Sequence, residues 1–174
     1  MNIPVVETAR LLLRPFRLED FERLAAMWAD PAVVRHMGDG TTRSEETAWS
    51  GFLRGAGQWA MRGFGPWAIE EKAGGALIGN IGYIDRKRDR GPEYEDVLEI
   101  GWMLAPASWG KGYATEALQA ALRWGRMHFG PVRVIALTAP ENIASMRVAQ
   151  KCGFAEQARI LSLGRPRVVL GRVL

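Results

Sequence analysis

Gly110-Lys111-Gly112 stands directly before a run of residues with helical spacing, a position suited to an anion. The start of a helix carries unpaired backbone N–H groups and the positive end of the helix dipole, and both suit a pyrophosphate. Gly110 and Gly112 allow close backbone approach and positive φ, and Ala114 is too small to crowd that approach. The segment Trp109-Gly110-Lys111-Gly112-Tyr113-Ala114-Thr115 is therefore a candidate cofactor loop. It is not a Walker loop, because no Ser or Thr follows the lysine, and its glycines do not match the dinucleotide fingerprint. A plain glycine turn before a helix explains the same residues equally well.

Two other places hold polar groups where chemistry needs them. Asn142 falls where a strand gives way to a helix, so it reads either as an N-cap or as a crevice residue. Ser145, three positions on, belongs to the first helical turn and either points into the same crevice or faces solvent. Glu99 interrupts an otherwise apolar strand. Alternation puts Leu98, Ile100, Trp102 and Leu104 on one face and Val97, Glu99, Gly101 and Met103 on the other. A carboxylate in a central strand is costly unless it is paired or faces a wet cleft. Gly101 clears space beside it, and a structural salt bridge is the competing reading. A covalent route through Cys152 is the nearest alternative, and a buried structural thiol is the competing reading. The covalent route needs an activating histidine, and no motif links Cys152 to His36 or His128.

These groups need elements to hold them. Arg10-Leu11-Leu12-Leu13-Arg14-Pro15-Phe16 reads as a strand, and Leu18, Phe21, Leu24, Ala25 and Trp28 follow as a helix stopped by Asp30-Pro31. Thr42-Arg43-Ser44-Glu45 reads as a capping box for a second helix with Trp49, Phe52, Leu53 and Ala56 on its apolar face. Gly55 and Gly57 leave its far end open. Strands over 67–70 and 76–84 flank a turn at Lys72-Ala73-Gly74-Gly75. A charged surface loop over 85–96 precedes a strand over 97–104. Ala114, Ala117, Leu118, Ala121, Leu122 and Gly125 share one helical face. A strand over 132–138 follows, then a helix over 142–152 stopped by Gly153, then a strand pair over 154–161 and 165–170. The pattern predicts an α+β (α/β) chain, one domain over 1–174. Its central sheet would be mixed, mostly antiparallel and twisted, flanked by about four helices on both faces.

Composition narrows the function classes. The chain has 174 residues, 48% hydrophobic and 24% charged, ordinary for a soluble globular domain. No apolar run reaches the roughly 18 residues that span a bilayer, and the first residues lack the order of a secretory signal. A single cysteine fits a reducing compartment. The expected setting is cytoplasmic. A net charge of +4 and a pI near 9.6 permit an anionic partner. The one dense basic cluster, Asp85-Arg86-Lys87-Arg88-Asp89-Arg90, is flanked by acids and makes a poor phosphate-tracking stripe. Neither nucleic acid nor membrane is the expected partner, and no metal site is expected.

Taken together, the loop, the Asn142 helix and Glu99 resemble the GNAT superfamily of N-acetyltransferases. Its Gln/Arg-x-x-Gly-x-Gly/Ala loop is matched from Trp109 through Gly112 to Ala114. Thr8-Ala9-Arg10-Leu11-Leu12-Leu13-Arg14-Pro15, Asp30-Pro31 and Trp109-Gly110-Lys111-Gly112 with Ala114-Thr115-Glu116-Ala117 look like the branch containing the ribosomal-protein N-terminal alanine acetyltransferases. The resemblance covers about residues 8–154. Trp109 departs from Gln or Arg, and Ala149 stands where many members carry a tyrosine acid.

The resemblance implies an acetyl-CoA-dependent N-acetyltransferase acting on a primary amine by direct attack in a ternary complex. Glu99 is then the base, directly or through water, and Ser145 or a water protonates the leaving thiolate. A backbone N–H near Met103 or Leu104 stabilises the oxyanion, Asn142 holds the pantetheine arm, and the loop residues with Arg147 complete the cofactor-binding set. A homodimer is compatible with this reading. The acceptor is left open between a protein N-terminus and small amines such as aminoglycosides or polyamines. For polycations, Glu93, Glu95 and Asp96 are candidate contacts. A non-catalytic acyl-CoA-binding module is the third class.

Overall fold

The computed structural model describes residues 3–85, 90 and 92–174. Most of the basic cluster (86–89) and Gly91 of the charged loop lie outside the described residues. The strands are β1 (Val6–Glu7), β2 (Leu11–Arg14), β3 (Pro66–Glu71), β4 (Ala76–Ile84), β5 (Leu98–Leu104), β6 (Arg133–Thr138), β7 (Ala155–Ser162) and β8 (Arg165–Val173). They form one sheet in the order β1-β2-β3-β4-β5-β6-β8-β7. Every neighbouring pair is antiparallel except β5–β6.

The helices are α1 (Phe21–Ala29), α2 (Pro31–Val34), α3 (Glu45–Arg62), α4 (Tyr113–Phe129) and α5 (Ile143–Lys151). Strand alternation divides the apolar residues between two faces. Trp67, Ile69, Ile81, Tyr83 and Ile100 meet Ala117, Leu118 and Ala121 of α4 and Ala149 of α5. Ala68, Leu77 and Met103 meet Leu24 and Trp28 of α1, Val33 of α2 and Phe52 of α3. Gly125 lets α4 lie close to the sheet, since a Cβ there would fall 1.8 Å from the Tyr83 hydroxyl oxygen. That hydroxyl donates to the Ala121 carbonyl at 3.1 Å.

The sheet is fastened to α1 by buried charge. Arg14 donates to both Asp20 oxygens at 2.7 and 2.8 Å and to Glu70 at 2.5 Å. The Asp20 carboxylate also accepts the Arg17 N–H at 2.7 Å. Arg14 and Asp20 are both buried, so each depends on the other.

Three sequence expectations are corrected. Asp30-Pro31 ends α1 but also starts α2, with Asp30 Oδ1 accepting the Ala32 N–H at 2.8 Å and Pro31 in the first turn. The cap of α3 is Ser44, whose hydroxyl accepts the Thr47 N–H at 3.2 Å, rather than a Thr42–Glu45 box. The buried face of α3 is Ala48, Phe52, Gly55 and Trp59, one step around from that expected, so Trp49 and Leu53 are exposed. Gly55 belongs to that face because Pro66 packs on it, and the helix runs on to Gly63. Among the described residues no helix is long and apolar enough to cross a membrane.

Candidate active site

The parallel pairing of β5 and β6 is short. It joins Leu98 to Val134 and Glu99 to Ile135 and goes no further. From Ile100 to Leu104, β5 remains bonded to β4 while its other edge is left open. Beyond this split lies the segment 105–112. A 3₁₀ turn at Pro106–Ser108 leads to Trp109, whose indole N–H donates to the Leu104 carbonyl at 2.8 Å. The next amide, Ala105 N–H, donates to Ile78 on β4 at 2.8 Å. Since successive residues of a strand direct their polar edges to opposite sides, the edge of Leu104 faces the split.

Gly110 and Gly112 adopt φ of +75° and +81°. The first bond of α4 runs from the Glu116 N–H to the Gly112 carbonyl at 3.1 Å, leaving the N–H groups of Tyr113, Ala114 and Thr115 free at the helix start. Arg10 braces the loop from the far end of the chain. It donates to the Lys111 carbonyl at 3.0 Å and to Glu116 at 2.7 Å, and lies 4.5 Å above the Tyr113 ring. Glu116 also accepts from Thr8 at 2.7 Å and from the Arg10 N–H at 2.9 Å. Burial would raise the Glu116 pKa, but the Thr8 and Arg10 bonds outweigh it and hold the carboxyl below the usual range. The Tyr113 ring turns into the core and its hydroxyl bonds to Glu71, which pushes the phenol pKa up.

Two cavities meet at the split. One, of about 410 Å³, is lined by Trp109, Gly110, Gly112 to Thr115, Met103, Leu104 and Arg147. Lys111 is not on its wall. The other, of about 180 Å³, contains Glu99 and Gly101 and is roofed by α1 and α3. Trp102, Met103, Asn142 and Ser145 border both. Asn142 serves as the N-cap of α5, its Oδ1 accepting the Ser145 N–H at 3.2 Å, and is a wall residue as well. Glu99 is 5% exposed and its Oε2 lies 3.4 Å from Arg90 Nη1. Arg90 also donates to the carbonyls of Val97 and Glu95 at 3.2 and 2.9 Å, so one guanidinium ties the loop to the base of the cavity.

Cys152 borders neither cavity. Its thiol is buried, lies 3.8 Å from the Thr115 carbonyl, and has its pKa pushed up by burial. His128 stacks on Trp124 near the opposite end of α4 from the loop. Glu93, Glu95 and Asp96, the candidate contacts for a polycation, line neither cavity.

Sequence reasoning missed several wall residues. His36 borders both cavities, with Arg35 and Lys151 beside the loop and Arg43, Arg54 and Arg167 around the smaller cavity. Burial first, then Arg35, depresses the His36 pKa and favours the neutral imidazole. The available signal was Asp30-Pro31 read as the beginning of α2, because that helix carries the chain to His36.

A family model described as an acetyltransferase (GNAT) domain matches residues 10–155. The N-acetyltransferase YoaA of Bacillus subtilis is 30% identical over 156 residues, covering 88% of this chain and 84% of YoaA. An acetyltransferase crystal structure from Agrobacterium tumefaciens superimposes with a TM-score of 0.83 at 26% identity, covering 99% of this chain and 95% of that one. More distant structures share the fold. RimL, a ribosomal L7/L12 acetyltransferase solved with coenzyme A, gives 0.79 at 16% identity over 98% of each chain. The aminoglycoside acetyltransferase AAC(6')-Ib, also solved with coenzyme A, gives 0.76 at 18% over 94% of each.

Proposed function

Since this chain belongs to the GNAT acetyltransferases and uses acetyl-CoA, we propose that it acetylates a primary amine by direct attack in a ternary complex across the β5–β6 split. The observation that carries this reading is the meeting of two cavities at Trp102, Met103, Asn142 and Ser145, one bordered by the glycine loop and the other by Glu99.

The larger cavity fits a coenzyme. The amides at the start of α4 suit a pyrophosphate, Arg35, Arg147 and Lys151 suit further phosphate charge, and the open edge of β5 suits an amide-containing arm. The bound cosubstrate supplies an activated acetyl thioester. Acceptor amines are largely ammonium near neutral pH and must lose a proton before attack. Glu99 takes that proton, directly or through water, and its contact with Arg90 fixes the carboxylate in place. The Leu104 amide, on the open edge, is the donor placed for the developing negative charge on the carbonyl oxygen. Ser145 or a water gives a proton to the departing thiolate, and Asn142 positions the arm beside it. Ala149 is buried and carries no hydroxyl, so α5 offers Ser145 in place of a tyrosine acid.

Initial-rate kinetics with acetyl-CoA and a panel of peptides, polyamines and aminoglycosides test the reading. A ternary complex gives intersecting double-reciprocal lines. Parallel lines, or an acetyl group found on Cys152 by mass spectrometry, overturn it.

A further inference from the structure

The walls of the smaller cavity carry mostly positive charge. Arg43, Arg54 and Arg167 border it, and Glu99 is the only carboxylate among its described lining residues. Glu99 lies against Arg90. Arg167 is committed to the α2 end of the cavity, donating to the carbonyls of His36 at 2.8 Å and of Gly38.

Arg43 is held differently. Its backbone N–H bonds to the Trp28 carbonyl at 3.1 Å and its guanidinium lies 4.5 Å above the Trp28 ring. The ring satisfies one face of the guanidinium and leaves its in-plane N–H donors for another group. No carboxylate of the described residues lies within salt-bridge distance of it. Burial, followed by the charge of Arg54, depresses its pKa, as befits a half-buried cation with a like neighbour. A guanidinium fixed by stacking at a cavity wall is organised to bind a carboxylate through two parallel hydrogen bonds.

We propose that the acceptor is a primary amine bearing a carboxylate, with the carboxylate held by Arg43 and Arg54 and the amine directed to Glu99. This rests on the acetyl-transfer reading above and names its substrate class. A polycationic acceptor would meet two like charges in the same space. The size of the cavity, about 180 Å³, suits an amino acid or the first residue or two of a peptide. In the transfer, the amine nitrogen bonds to the acetyl carbon as the carbon–sulfur bond breaks. Glu99 takes one proton of the ammonium before attack, the nitrogen's second proton passes by way of Ser145 or a water to the thiolate, and the acceptor's carboxylate is unchanged throughout.

The test measures release of coenzyme thiol by the full-length protein at fixed acetyl-CoA. Free L-amino acids are compared with their carboxamides, and short peptides with Asp or Glu at the second position with their Asn or Gln counterparts. Spermidine and kanamycin are included. Acids are expected to exceed the matching amides in kcat/KM by at least about tenfold, the factor associated with a charge-assisted hydrogen bond. The amino-acid and peptide pairs separate the two sources of the carboxylate. Arg43→Gln should bring the acid-to-amide ratio toward one through KM, while Arg43→Lys, which keeps the charge, should retain part of the preference. Equal rates for acids and amides, a preference for spermidine or kanamycin, or an unchanged ratio in a folded Arg43→Gln, Arg54→Gln protein overturns the proposal. So does inactivity toward every acid when calorimetry shows acetyl-CoA bound. Failure to bind acetyl-CoA defeats instead the transfer reading beneath it.

Discussion

Gly112→Val separates the cost of the loop to the protein from its value to the cofactor. Gly112 has φ +81° and ψ 1°, and an added Cβ would meet only Arg10 Nη2, at 3.5 Å, an ordinary contact. The protein therefore has room for the side chain, and the penalty lies in the backbone. A β-branched residue in the left-handed region costs about 2–3 kcal/mol. In a domain of this length each kcal/mol lowers Tm by roughly 2–4 °C, so the expected fall is about 4–12 °C. The cofactor loses more specific interactions. Valine methyls at the helix start would stand between the free amides and a pyrophosphate. Losing even one charge-assisted hydrogen bond costs about 1.5–3 kcal/mol, which is at least about tenfold in Kd. Thermal melts and calorimetric titration with acetyl-CoA read the two effects independently. A folded variant with the expected Tm and the wild-type Kd would falsify the assignment of this loop to the cofactor.

Glu99→Gln keeps the shape of the side chain and should lower turnover by about 10²–10⁴-fold, as for loss of a general base, with acetyl-CoA affinity retained. A wild-type rate and pH profile would leave Glu99 as Arg90's structural partner. Ser145→Ala should lower turnover without changing Tm or acetyl-CoA affinity, because its backbone bond to Asn142 survives, and equal rates would assign the proton to water. Cys152→Ser should remain active under direct transfer, and an inactive but folded variant would contradict that route. Asp20→Asn leaves buried Arg14 short of charge and should cost about 3–5 kcal/mol in urea melts at neutral pH. Burial raises the Asp20 pKa, but the Arg14 and Arg17 hydrogen bonds outweigh it and the net shift is downward. Its stabilisation is therefore present above the unfolded carboxyl value and lost as pH falls through the lower folded one. The variant's stability should decline less across that acid range, and an identical slope would rule out Asp20 as the titrating group.

Local periodicity was sufficient wherever a segment is governed by its own neighbours. The alternation of 97–104 set Leu98, Ile100, Trp102 and Leu104 against Glu99, Gly101 and Met103. The structure packs the first four in one core cluster and Met103 in the other, while the smaller cavity is lined from both faces. The face of α4 was legible because small residues recur at helical spacing, and the sheet accepts that face directly. Failures came where distant parts of the chain decide. The buried stripe of α3 is set by Pro66 and by Trp67 and Trp124, which gather around Trp59, so it rotates away from the residues that look most apolar in sequence. Arg43 looked like part of a helix cap, and only the position of Trp28 makes it a cavity residue. Arg10 shows the same limit, since its partner Glu116 is 106 residues away. The cationic walls were invisible because the segment before α3, α3 itself and β8 each contribute to them, and no short window contains that combination.

The placement of β8 bears on how the site is assembled during synthesis. This strand lies between β6 and β7, and it carries Arg167, which grips the carbonyls of His36 and Gly38 from 131 and 129 residues away. Until residues 165–173 have left the ribosome, β6 has only its two-residue pairing with β5 and the His36 segment has no clamp. Such non-local closure is slow to form and exposes strand edges while it waits. A nascent chain can therefore have its glycine loop and Glu99 already made and still lack a finished acceptor wall. Ribosome-stalled chains ending before residue 165 should remain protease-sensitive around His36, and protection should arrive in one step once β8 is free to insert.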